Sequence, residues 1–528
     1  MCGILYAENC EREAFEKSLD LMDHRGPDDF GVICFEGRIL GQKRLAIVDL
    51  NRRSSQPFLA SDGKTFIIFN GEIYNYLELK EQFSIHTHTA SDTEVLVELF
   101  LKLGPNCLQH LNGMFSFLIY NSDTRETFIA RDRLGIKPLY WYEQDGKRIF
   151  SSEIASVLAL LDREPKIDLI GVRQYLKLRT FFREHTLYEG IRMFPAGHYL
   201  HNGRLIKYWD LTEAENHDAD DETLAALIER AVAYRKLADV ETGSYLSGGL
   251  DSSIIAAVAN KEHTWTVGFS DCNEFEYARM VADAYGFRHH EVLVTRETYR
   301  DVARSMIEKR REPLSVPNEV LLFQMTRAVK EHNTVVLSGE GADELFLGYD
   351  RIFRWANEAP FSLSDFDALY SYGSHRDDEI LEYVLEPVDD IDDNSLKIKT
   401  FFQLYHLHGL LRRLDNSTML CSVEARVPFV DHTLVEYLYR VPFRYKMQDG
   451  IVKAPLKRLF GHRLPKAVVD RKKIGFPVPV DDIFQDNKAS GMDGWLNFNL
   501  ETLLGSRWLD VKEQLKIGSS GSSVLLTN

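Results

Sequence analysis

Cys2 is the first residue of the chain whose type and position could do chemistry, because it directly follows the initiator methionine in "MCGILYAENC". Removal of Met1 would give Cys2 a free α-amine with a pKa of about 8, and this amine could take the proton from a thiol with a pKa of about 8.5. Such a nucleophile needs no separate His or Asp. The structural alternative is a small apolar residue that opens a first strand, and the second position alone does not decide between the two.

A second chemical motif is the stretch "YLSGGLDSSII", in which Ser247, Gly248 and Gly249 lie between an apolar strand and a helix that begins near Asp251. Glycines at this point let backbone N–H groups converge on an anion, and the helix N-terminus adds its partial positive charge. The motif therefore predicts a phosphate site. It differs from the G-x-x-x-x-G-K-[ST] loop and from the dinucleotide G-x-G-x-x-G pattern. An ordinary Ser/Gly turn before a helix is the alternative.

A third motif, "VVLSGEGADELFLGY", places Ser338 and Gly339 at the end of another apolar strand. In a parallel sheet, two such strand ends side by side define a ligand crevice. Asp251 and Asp343 are then candidates to hold Mg²⁺ on phosphate oxygens, since this hard cation prefers oxygen ligands. The alternative makes the acids of each loop helix caps or first-turn partners of the helix dipole.

The elements that must position these motifs differ between the two halves of the chain. Up to about residue 200, runs such as "KTFIIFN", "GMFSFLIYN" and "ETFIARD" predict antiparallel hairpins with a few helices, an α+β layout. From about residue 221, short apolar strands alternate with amphipathic helices, which predicts a parallel sheet. The region 400–465 reads as helical, interrupted by "VEARVPF". The acidic segment "LTEAENHDADD" (211–221) is the predicted boundary between domains at 2–205 and 221–515.

Composition limits the partners that the chain can have. The 528 residues carry a net charge of -17, which disfavours nucleic acid and anionic membrane as partners. No stretch approaches the roughly 20 apolar residues of a membrane span, and the start does not read as a signal peptide, so a cytoplasmic location is expected. The six cysteines include no C-x-x-C pair, which argues against a disulfide framework or a zinc site.

Several motifs together resemble one known family. "SGGLDSS" and "SGEGADE" resemble the ATP-pyrophosphatase domain of glutamine-hydrolysing asparagine synthetases, and "VEARVPFVD" (423–431) extends the likeness. The front of the chain resembles the glutaminase domain of the same enzymes in "MCGI", "HRGPD", "RLAIVD", "FNGEIYN", "SDTE" and "RDRLGIKPLY". The resemblance implies an α+β N-terminal-nucleophile glutaminase domain, with antiparallel sheets layered with helices. An α/β parallel-sheet ATP-pyrophosphatase domain would follow.

For the first half, the resemblance implies that Cys2 attacks the carboxamide carbon of glutamine and releases ammonia. Arg44 would bind the substrate carboxylate, Asp92 would meet its ammonium, and Asn70 with the Gly71 N–H would form the oxyanion hole. The whole implied glutamine set is Arg44, Leu45, Ala46, Ile47, Val48, Asn70, Gly71, Glu72 and Asp92. "HRGPD" and "RDRLGIKPLY" are interpreted as mainly structural motifs that hold loops and the domain interface.

Two of these motifs also have a purely structural interpretation. Asn70-Gly71 after a strand is a favourable turn dipeptide whatever its function. Ser91 and Glu94 match a capping box for an amphipathic helix, and Asp92 would then be only a first-turn acid.

For the second half, the resemblance implies ATP-dependent amidation of aspartate to asparagine through β-aspartyl-AMP, with release of AMP and pyrophosphate. Glu340 matches an acid linked to formation and aminolysis of the intermediate, and Lys453 matches a lysine placed on the phosphates. A lysine on a helical stretch is otherwise most often solvated surface. The implied ATP set is Leu246, Ser247, Gly248, Gly249, Asp251, Ser252, Val267, Ser338 and Gly339, with Mg²⁺ on Asp251 and Asp343. Ammonia would pass directly between the domains, at an interface to which "VEARVPFVD" contributes.

The resemblance loosens around the acceptor substrate. On the helix "HGLLRRLDNSTMLCS", Arg413 keeps a family arginine linked to the amino-acid substrate, Leu410 falls where an acid is expected, and Asp415 lies elsewhere. "REPLSVPNE" (311–319) also departs from the better-known pattern. Aspartate is the first expectation for the acceptor, and a sugar acid, a peptide or a natural-product carboxylate is the alternative. A catalytically inactive homologue is a third reading, which the retained Cys2 and Lys453 disfavour. A homodimer is compatible with the sequence.

Overall fold

The computed structural model describes residues 2–144, 146–213, 218–471, 477–484 and 490–516. Up to residue 213 the described chain is built mainly from strands. The strands are β1 Cys2–Glu8, β2 Asp29–Phe35, β3 Arg38–Arg44, β4 Phe58–Leu59, β5 Thr65–Ile73, β6 Gly113–Asn121, β7 Thr127–Arg131, β8 Tyr140–Gln144, β9 Lys147–Ser151, β10 Ile191–Met193, β11 His198–His201 and β12 Arg204–Lys207. The helices are α1 Arg12–Asp20, α2 Tyr76–Gln82, α3 Asp92–Leu103, α4 Ile154–Ala159 and α5 Leu169–Leu178.

These strands form two antiparallel sheets, in the orders β10-β8-β9-β1-β3-β2 and β12-β11-β7-β6-β5-β4. The sheets face each other across a buried apolar layer that includes Ile4 and Leu40 from one and Ile68 and Leu118 from the other. The alternation of side chains along each strand supplies this layer, since every second residue points to the same face. The predicted pairing of "GMFSFLIYN" with "ETFIARD" is confirmed as β6 and β7.

The second half forms a five-stranded parallel sheet surrounded by helices. Its strands are β13 Thr242–Tyr245, β14 His263–Gly268, β15 Arg288–Leu293, β16 Val335–Leu337 and β17 Glu424–Arg426. The helices are α6 Asp221–Arg235, α7 Leu250–Ala259, α8 Phe275–Tyr285, α9 Arg296–Arg310, α10 Asn318–Val329, α11 Ala342–Leu345, α12 Asp350–Glu358, α13 Leu363–Tyr370, α14 Asp378–Leu385, α15 Asn394–Phe401, α16 Leu407–Met419, α17 His432–Arg440, α18 Phe443–Lys446, α19 Ala454–Phe460, α20 Lys466–Asp470, α21 Val480–Ile483, α22 Gly491–Leu504 and α23 Arg507–Gln514. Both parts of the predicted fold class are thus confirmed.

The parallel sheet has the order β15-β14-β13-β16-β17, so β13 and β16 are neighbours. The two predicted loops follow β13 and β16. Because these strands are neighbours, the loops lie side by side at the carboxyl ends of the strands, where parallel sheets bind their ligands. The segment "VEARVPF" does more than interrupt the helices, because residues 424–426 form the edge strand β17 beside β16. A π-helical segment, Phe402–His406, joins α15 to α16.

The two halves touch through buried groups. Leu45 and Ile47 of the first half pack with Val335 and Met419 of the second. The predicted boundary segment includes residues 214–217, which lie outside the described residues. In the described ranges, no helix combines the length and apolar character needed to cross a membrane.

Candidate active sites

Cys2 opens β1 and lies opposite Arg44 of β3 in the antiparallel register. Its side chain is buried, and its backbone N–H donates to Asn70 Oδ1 at 3.1 Å. Burial raises the pKa of the Cys2 thiol, while the backbone N–H of Leu45 and the charge of Arg44 act in the opposite direction. A thiol with a raised pKa is protonated at neutral pH, so it needs an adjacent base before it can attack. Cys2 is thus both the start of a strand and a residue beside the predicted pocket groups.

Asn70 and Gly71 lie inside strand β5, opposite Ser116 and Phe115 of β6, and do not form the turn that their types allow. A Cβ atom on Gly71 would approach the carbonyl oxygen of Met114 to 2.0 Å. Close approach of two backbones therefore explains the glycine. Beside it, Asn70 Oδ1 accepts from the Cys2 N–H, and Asn70 Nδ2, the group that an oxyanion hole would use, donates to Ser152 Oγ at 3.5 Å.

Arg44 ends β3, and its guanidinium binds neutral backbone carbonyls. Nη2 donates to the carbonyl of Asp49 at 2.5 Å and Nη1 to that of Asn51 at 3.1 Å. Because these acceptors carry no charge, the positive charge of Arg44 stays available for a carboxylate ligand.

Asp92 begins α3, where its Oδ2 accepts from the N–H of Ile73 at 2.9 Å. Ser91 caps this helix by accepting from the N–H of Thr93 at 3.1 Å, as predicted. The reciprocal half of the capping box is wrong, because the Glu94 carboxylate accepts from N–H groups of residues 88 and 89. Burial raises the pKa of Asp92 to about 6. A buried carboxylate of this kind is suited to an ammonium ligand, which would stabilise its charged form.

Glu72 is buried at the boundary between the halves. Its Oε1 lies 3.6 Å from Nη2 of Arg426, whose Nε donates to Oε1 of Glu424 at 2.5 Å. Burial, together with the charges of Asp92 and Glu424, holds the pKa of Glu72 well above its ordinary value. The "VEARVPFVD" segment thus contacts the first half directly through Arg426, in agreement with its predicted place at the interface.

The segment after β3 carries the other predicted pocket residues, and its backbone groups are engaged. Ala46 N–H donates to Asp28 Oδ2 at 2.8 Å. The Ile47 carbonyl accepts from the N–H of Asp239 at 2.9 Å, and the Val48 carbonyl accepts from Arg44 at 3.4 Å. These contacts hold the segment against both the pocket and the second half.

The second site is a cavity of about 700 Å³ at the ends of β13 and β16. Of the predicted ATP set, Leu246, Ser247, Gly249, Asp251, Ser252, Ser338 and Gly339 line it. Ser252 Oγ accepts from the Ser247 N–H at 3.2 Å, which closes the loop around the start of α7. Gly248 has φ of 71°, and a Cβ there would meet the N of Ala278 at 2.5 Å, so this position requires glycine.

Gly339 marks the contact between the two loops, whereas Val267 lies apart from the cavity. A Cβ on Gly339 would meet the N of Ser252 at 2.8 Å, so the loops after β13 and β16 are in direct contact. Val267 is buried in β14 and is not among the described residues that line the cavity. Trp265 and Thr266 of the same strand form that part of the wall.

Lys453 caps the N-terminus of α19 and is 5% exposed, which rules out the solvated-surface interpretation. Its Nζ lies 2.5 Å from Asp251 Oδ2 and 2.6 Å from Asp343 Oδ1. These carboxylates raise the pKa of Lys453. Two carboxylates that converge on one cation also suit Mg²⁺ whose other ligands are phosphate oxygens and water. In the described ranges, no group of three or more His, Cys, Asp or Glu side chains forms a protein-only metal site.

The cavity wall formed by α16 contains an ion pair between Arg413 and Glu340, with Nη2 to Oε1 at 2.9 Å. Leu410 lines the same cavity one turn earlier on α16. The Glu344 carboxyl is buried against the hydroxyl of Tyr349 at 2.5 Å, and burial raises its pKa to about 8. The acids of this loop are therefore more than helix-dipole partners, since each has a specific side-chain contact.

Sequence reasoning did not identify three residues that the fold brings to these sites. Arg179 lines the cavity although it belongs to the first half of the chain. There is no room for a side chain at Gly348, because a Cβ would lie 2.0 Å from Asp343 Oδ1 and 2.3 Å from Lys453 Cε. Arg25 of "HRGPD" donates to the Cys2 carbonyl at 3.2 Å. Arg25 and Gly348 lie in the quoted motifs "HRGPD" and "VVLSGEGADELFLGY", whereas Arg179 lies in none.

Two family models match the chain. The model described as asparagine synthase matches residues 223–497, and the glutamine amidotransferase domain model matches residues 1–209. The glutamine amidotransferase match covers the half with the two antiparallel sheets, and the asparagine synthase match covers the half with the parallel sheet.

Similar proteins match most of the chain. Asparagine synthetase [glutamine-hydrolyzing] 3 of Bacillus subtilis is 29% identical, over 95% of this chain and 90% of that protein. Asparagine synthetase [glutamine-hydrolyzing] 1 of the same organism is 30% identical, over 91% of this chain and 87% of that protein. Asparagine synthetase B [glutamine-hydrolyzing] of Escherichia coli is 29% identical, over 90% of this chain and 82% of that protein.

Proposed function

The chain belongs to the asparagine synthase family of glutamine-dependent ligases, and from this premise we propose that it converts aspartate to asparagine. In the proposed reaction, ATP activates the acceptor carboxylate and glutamine supplies the ammonia. The observation that carries the proposal is the cavity where the Ser247–Ser252 and Ser338–Gly339 loops meet Lys453. A carboxylate does not accept ammonia without activation, because its leaving group would be oxide.

In the glutaminase reaction, the α-amine of Cys2, free after removal of Met1, takes the thiol proton. The sulfur then attacks the carboxamide carbon, the C–N bond breaks and ammonia leaves with a proton. Water hydrolyses the thioester to glutamate. Asn70 Oδ1 accepts from the Cys2 nitrogen, so the side-chain amide lies next to the sulfur, and its Nδ2 group would donate to the developing oxyanion. Arg44 binds the substrate carboxylate and Asp92 its ammonium.

In the synthetase reaction, an oxygen of the acceptor carboxylate attacks the α-phosphorus of ATP, and the bond to pyrophosphate breaks. The loop that begins at Ser247 and the N-terminus of α7 bind the phosphates, and Lys453 places a positive charge beside them. Asp251 and Asp343 would hold Mg²⁺, which neutralises part of the charge that develops on pyrophosphate. Ammonia then attacks the acyl carbon of β-aspartyl-AMP, AMP leaves, and Glu340 accepts the surplus proton.

Ammonia must travel from Cys2 to the acyl-adenylate without escaping into water, where it would be protonated. The buried contacts between the halves support direct transfer, since Arg426 of β17 touches Glu72 and Leu45 packs on Met419. We place the passage at this interface.

The test is to incubate the purified chain with ATP, Mg²⁺, amide-¹⁵N-glutamine and a panel of carboxylates, and to identify the amide by mass spectrometry. We expect labelled asparagine from aspartate, together with stoichiometric AMP. A Cys2→Ala variant should lose the reaction with glutamine and keep it with ammonium chloride. Label in the amide of another carboxylate, with none in asparagine, would contradict aspartate and support the alternative acceptors. Absence of AMP with every carboxylate would contradict the ligase mechanism.

A further inference from the structure

Arg179 is an arginine of the first half that reaches the cavity of the second. It follows α5 in the left-handed conformation, with φ of 64°, and its N–H donates to the Tyr175 carbonyl at 2.8 Å. Its guanidinium carbon lies 3.6 Å from the centre of the Tyr372 ring, and both residues line the cavity that contains Arg413. Stacking on an aromatic ring fixes the plane of a guanidinium and leaves its N–H edge for a planar anion.

The charge of Arg179 is not compensated by the described residues. Arg413 is paired with Glu340, and Lys453 with two aspartates. For Arg179, by contrast, no carboxylate of the described ranges lies within ion-pair distance, and its buried Nε has no hydrogen-bond acceptor there. A partly buried cation without an anion is disfavoured, and a ligand that supplies the anion lowers this cost.

The neighbours of Arg179 do not supply this anion. Burial and the nearby charges of Arg179 and Arg413 lower the pKa of His406 to about 3, so this histidine is neutral at neutral pH. The Glu344 carboxylate accepts from the hydroxyl of Tyr349 at 2.5 Å and forms no ion pair with Arg179 within the described ranges. The ring of Tyr372, which follows α13, lies against the guanidinium and supplies no carboxylate. Within the described ranges, the neighbours of Arg179 in the cavity therefore offer its guanidinium no carboxylate at ion-pair distance.

We propose that Arg179 binds a second carboxylate of the acceptor, so that the acceptor is a small dicarboxylate held by one carboxylate while the other is activated. This inference rests on the proposed ligase function and narrows its substrate class. Aspartate satisfies it and a monocarboxylic sugar acid does not. Leu410, which lines the cavity on α16, adds no charge that would oppose such a ligand.

The test measures binding to the full chain by isothermal titration calorimetry, with and without a non-hydrolysable ATP analogue and Mg²⁺. The probes are two matched pairs, L-aspartate with L-isoasparagine and succinate with succinamate, in which one carboxylate is replaced by an amide. Wild-type protein should bind L-aspartate and succinate more tightly than their monoamides. Arg179→Gln should weaken binding of the dicarboxylates about 10- to 100-fold, the range for loss of a charge-assisted hydrogen bond, and remove the difference within each pair. Arg179→Lys should be intermediate, because a point charge lacks the planar fork.

Arg183→Gln is the matched control. Arg183 also has a left-handed backbone and lies over a tyrosine ring, that of Tyr383, but it pairs with Glu386 and does not line the cavity. Its variant should bind the probes as wild type does. Glutamine hydrolysis by each variant, measured without ATP, reports whether the chain is folded.

Unchanged dicarboxylate binding in Arg179→Gln, equal binding of acid and amide by wild type, or no binding of either dicarboxylate would overturn the proposal. Failure of the proposed ligase function would give a different experimental result. Pyrophosphate release would then not depend on any carboxylate, while Arg179-dependent dicarboxylate binding would persist.

Discussion

Arg25 Nη2 lies 2.8 Å from Asp415 Oδ2, and the same guanidinium donates through Nε to the carbonyl of Cys2 at 3.2 Å. Lys137 of "RDRLGIKPLY" approaches the other oxygen of Asp415 at 3.2 Å. Asp415 belongs to α16, the helix that also carries Arg413. The backbone of Cys2 is therefore joined through buried ion pairs to α16, the helix whose Arg413 lines the second cavity.

Asp415→Ala should destabilise the chain and uncouple the two sites. Its removal takes from buried Lys137 its ion-pair partner and leaves Arg25 with Glu153 alone, and breaking a buried pair in this way costs about 3–5 kcal/mol. We expect a lower denaturation midpoint and a larger loss of glutamine-dependent than of ammonia-dependent amide formation. The control is Asp470→Ala, which breaks the exposed pair with Lys466 and should leave the midpoint unchanged. Equal loss of both activities would show that the network serves stability alone.

Removal of Met1 is required for glutaminase activity if the α-amine of Cys2 is the base. Intact-mass measurement of active protein should give a chain lighter by one methionine residue. A variant with an added Ala between Met1 and Cys2 should retain its fold and its ammonia-dependent activity but lose glutamine hydrolysis, because the base is displaced from the thiol. Glutamine hydrolysis by a chain that retains Met1 would refute this role of the amine.

The KM for glutamine should rise as the pH falls below about 6. The pKa of Asp92 is raised to about 6, so its carboxylate is charged above that pH and protonated below it, where it no longer attracts an ammonium. Asp92→Asn should raise KM at neutral pH by about 10- to 100-fold, the range for a hydrogen bond to a charged group, and flatten its pH profile. The KM of both proteins is measured from initial rates of glutamate formation between pH 5 and 8. A profile unchanged in the variant would assign the titration to another group.

Lys453→Gln should slow acceptor activation while sparing the glutaminase. Loss of the ammonium removes a preorganised positive charge and leaves Asp251 and Asp343 facing each other, so AMP release should fall about 100- to 1000-fold. Pyrophosphate release and glutamine hydrolysis, measured on the same preparation, separate the two sites. Lys466→Gln, at an exposed position, is the control. An equal fall in glutamine hydrolysis would indicate a general folding defect.

Features carried by contiguous residues were predictable from the sequence. The alternation in "GMFSFLIYN" and "ETFIARD" identified the β6–β7 pair. The apolar strand before each Ser/Gly loop located the cavity at the ends of β13 and β16, because strand ends of a parallel sheet share one edge. Cys2 and Lys453 followed from motif resemblance. The strand of residues 424–426 was missed, since three residues are too few to show a period.

What the sequence alone determined is the two-domain composition and the residue types at each site, because these depend on local periodicity and short motifs. Only the tertiary structure decided which distant residues meet. Arg25 reaches Asp415 across 390 positions of the chain, and Arg179 enters a cavity built from the other half. Such pairings depend on how two folded layers pack against each other, and long-range packing of this kind leaves no periodic pattern along the chain.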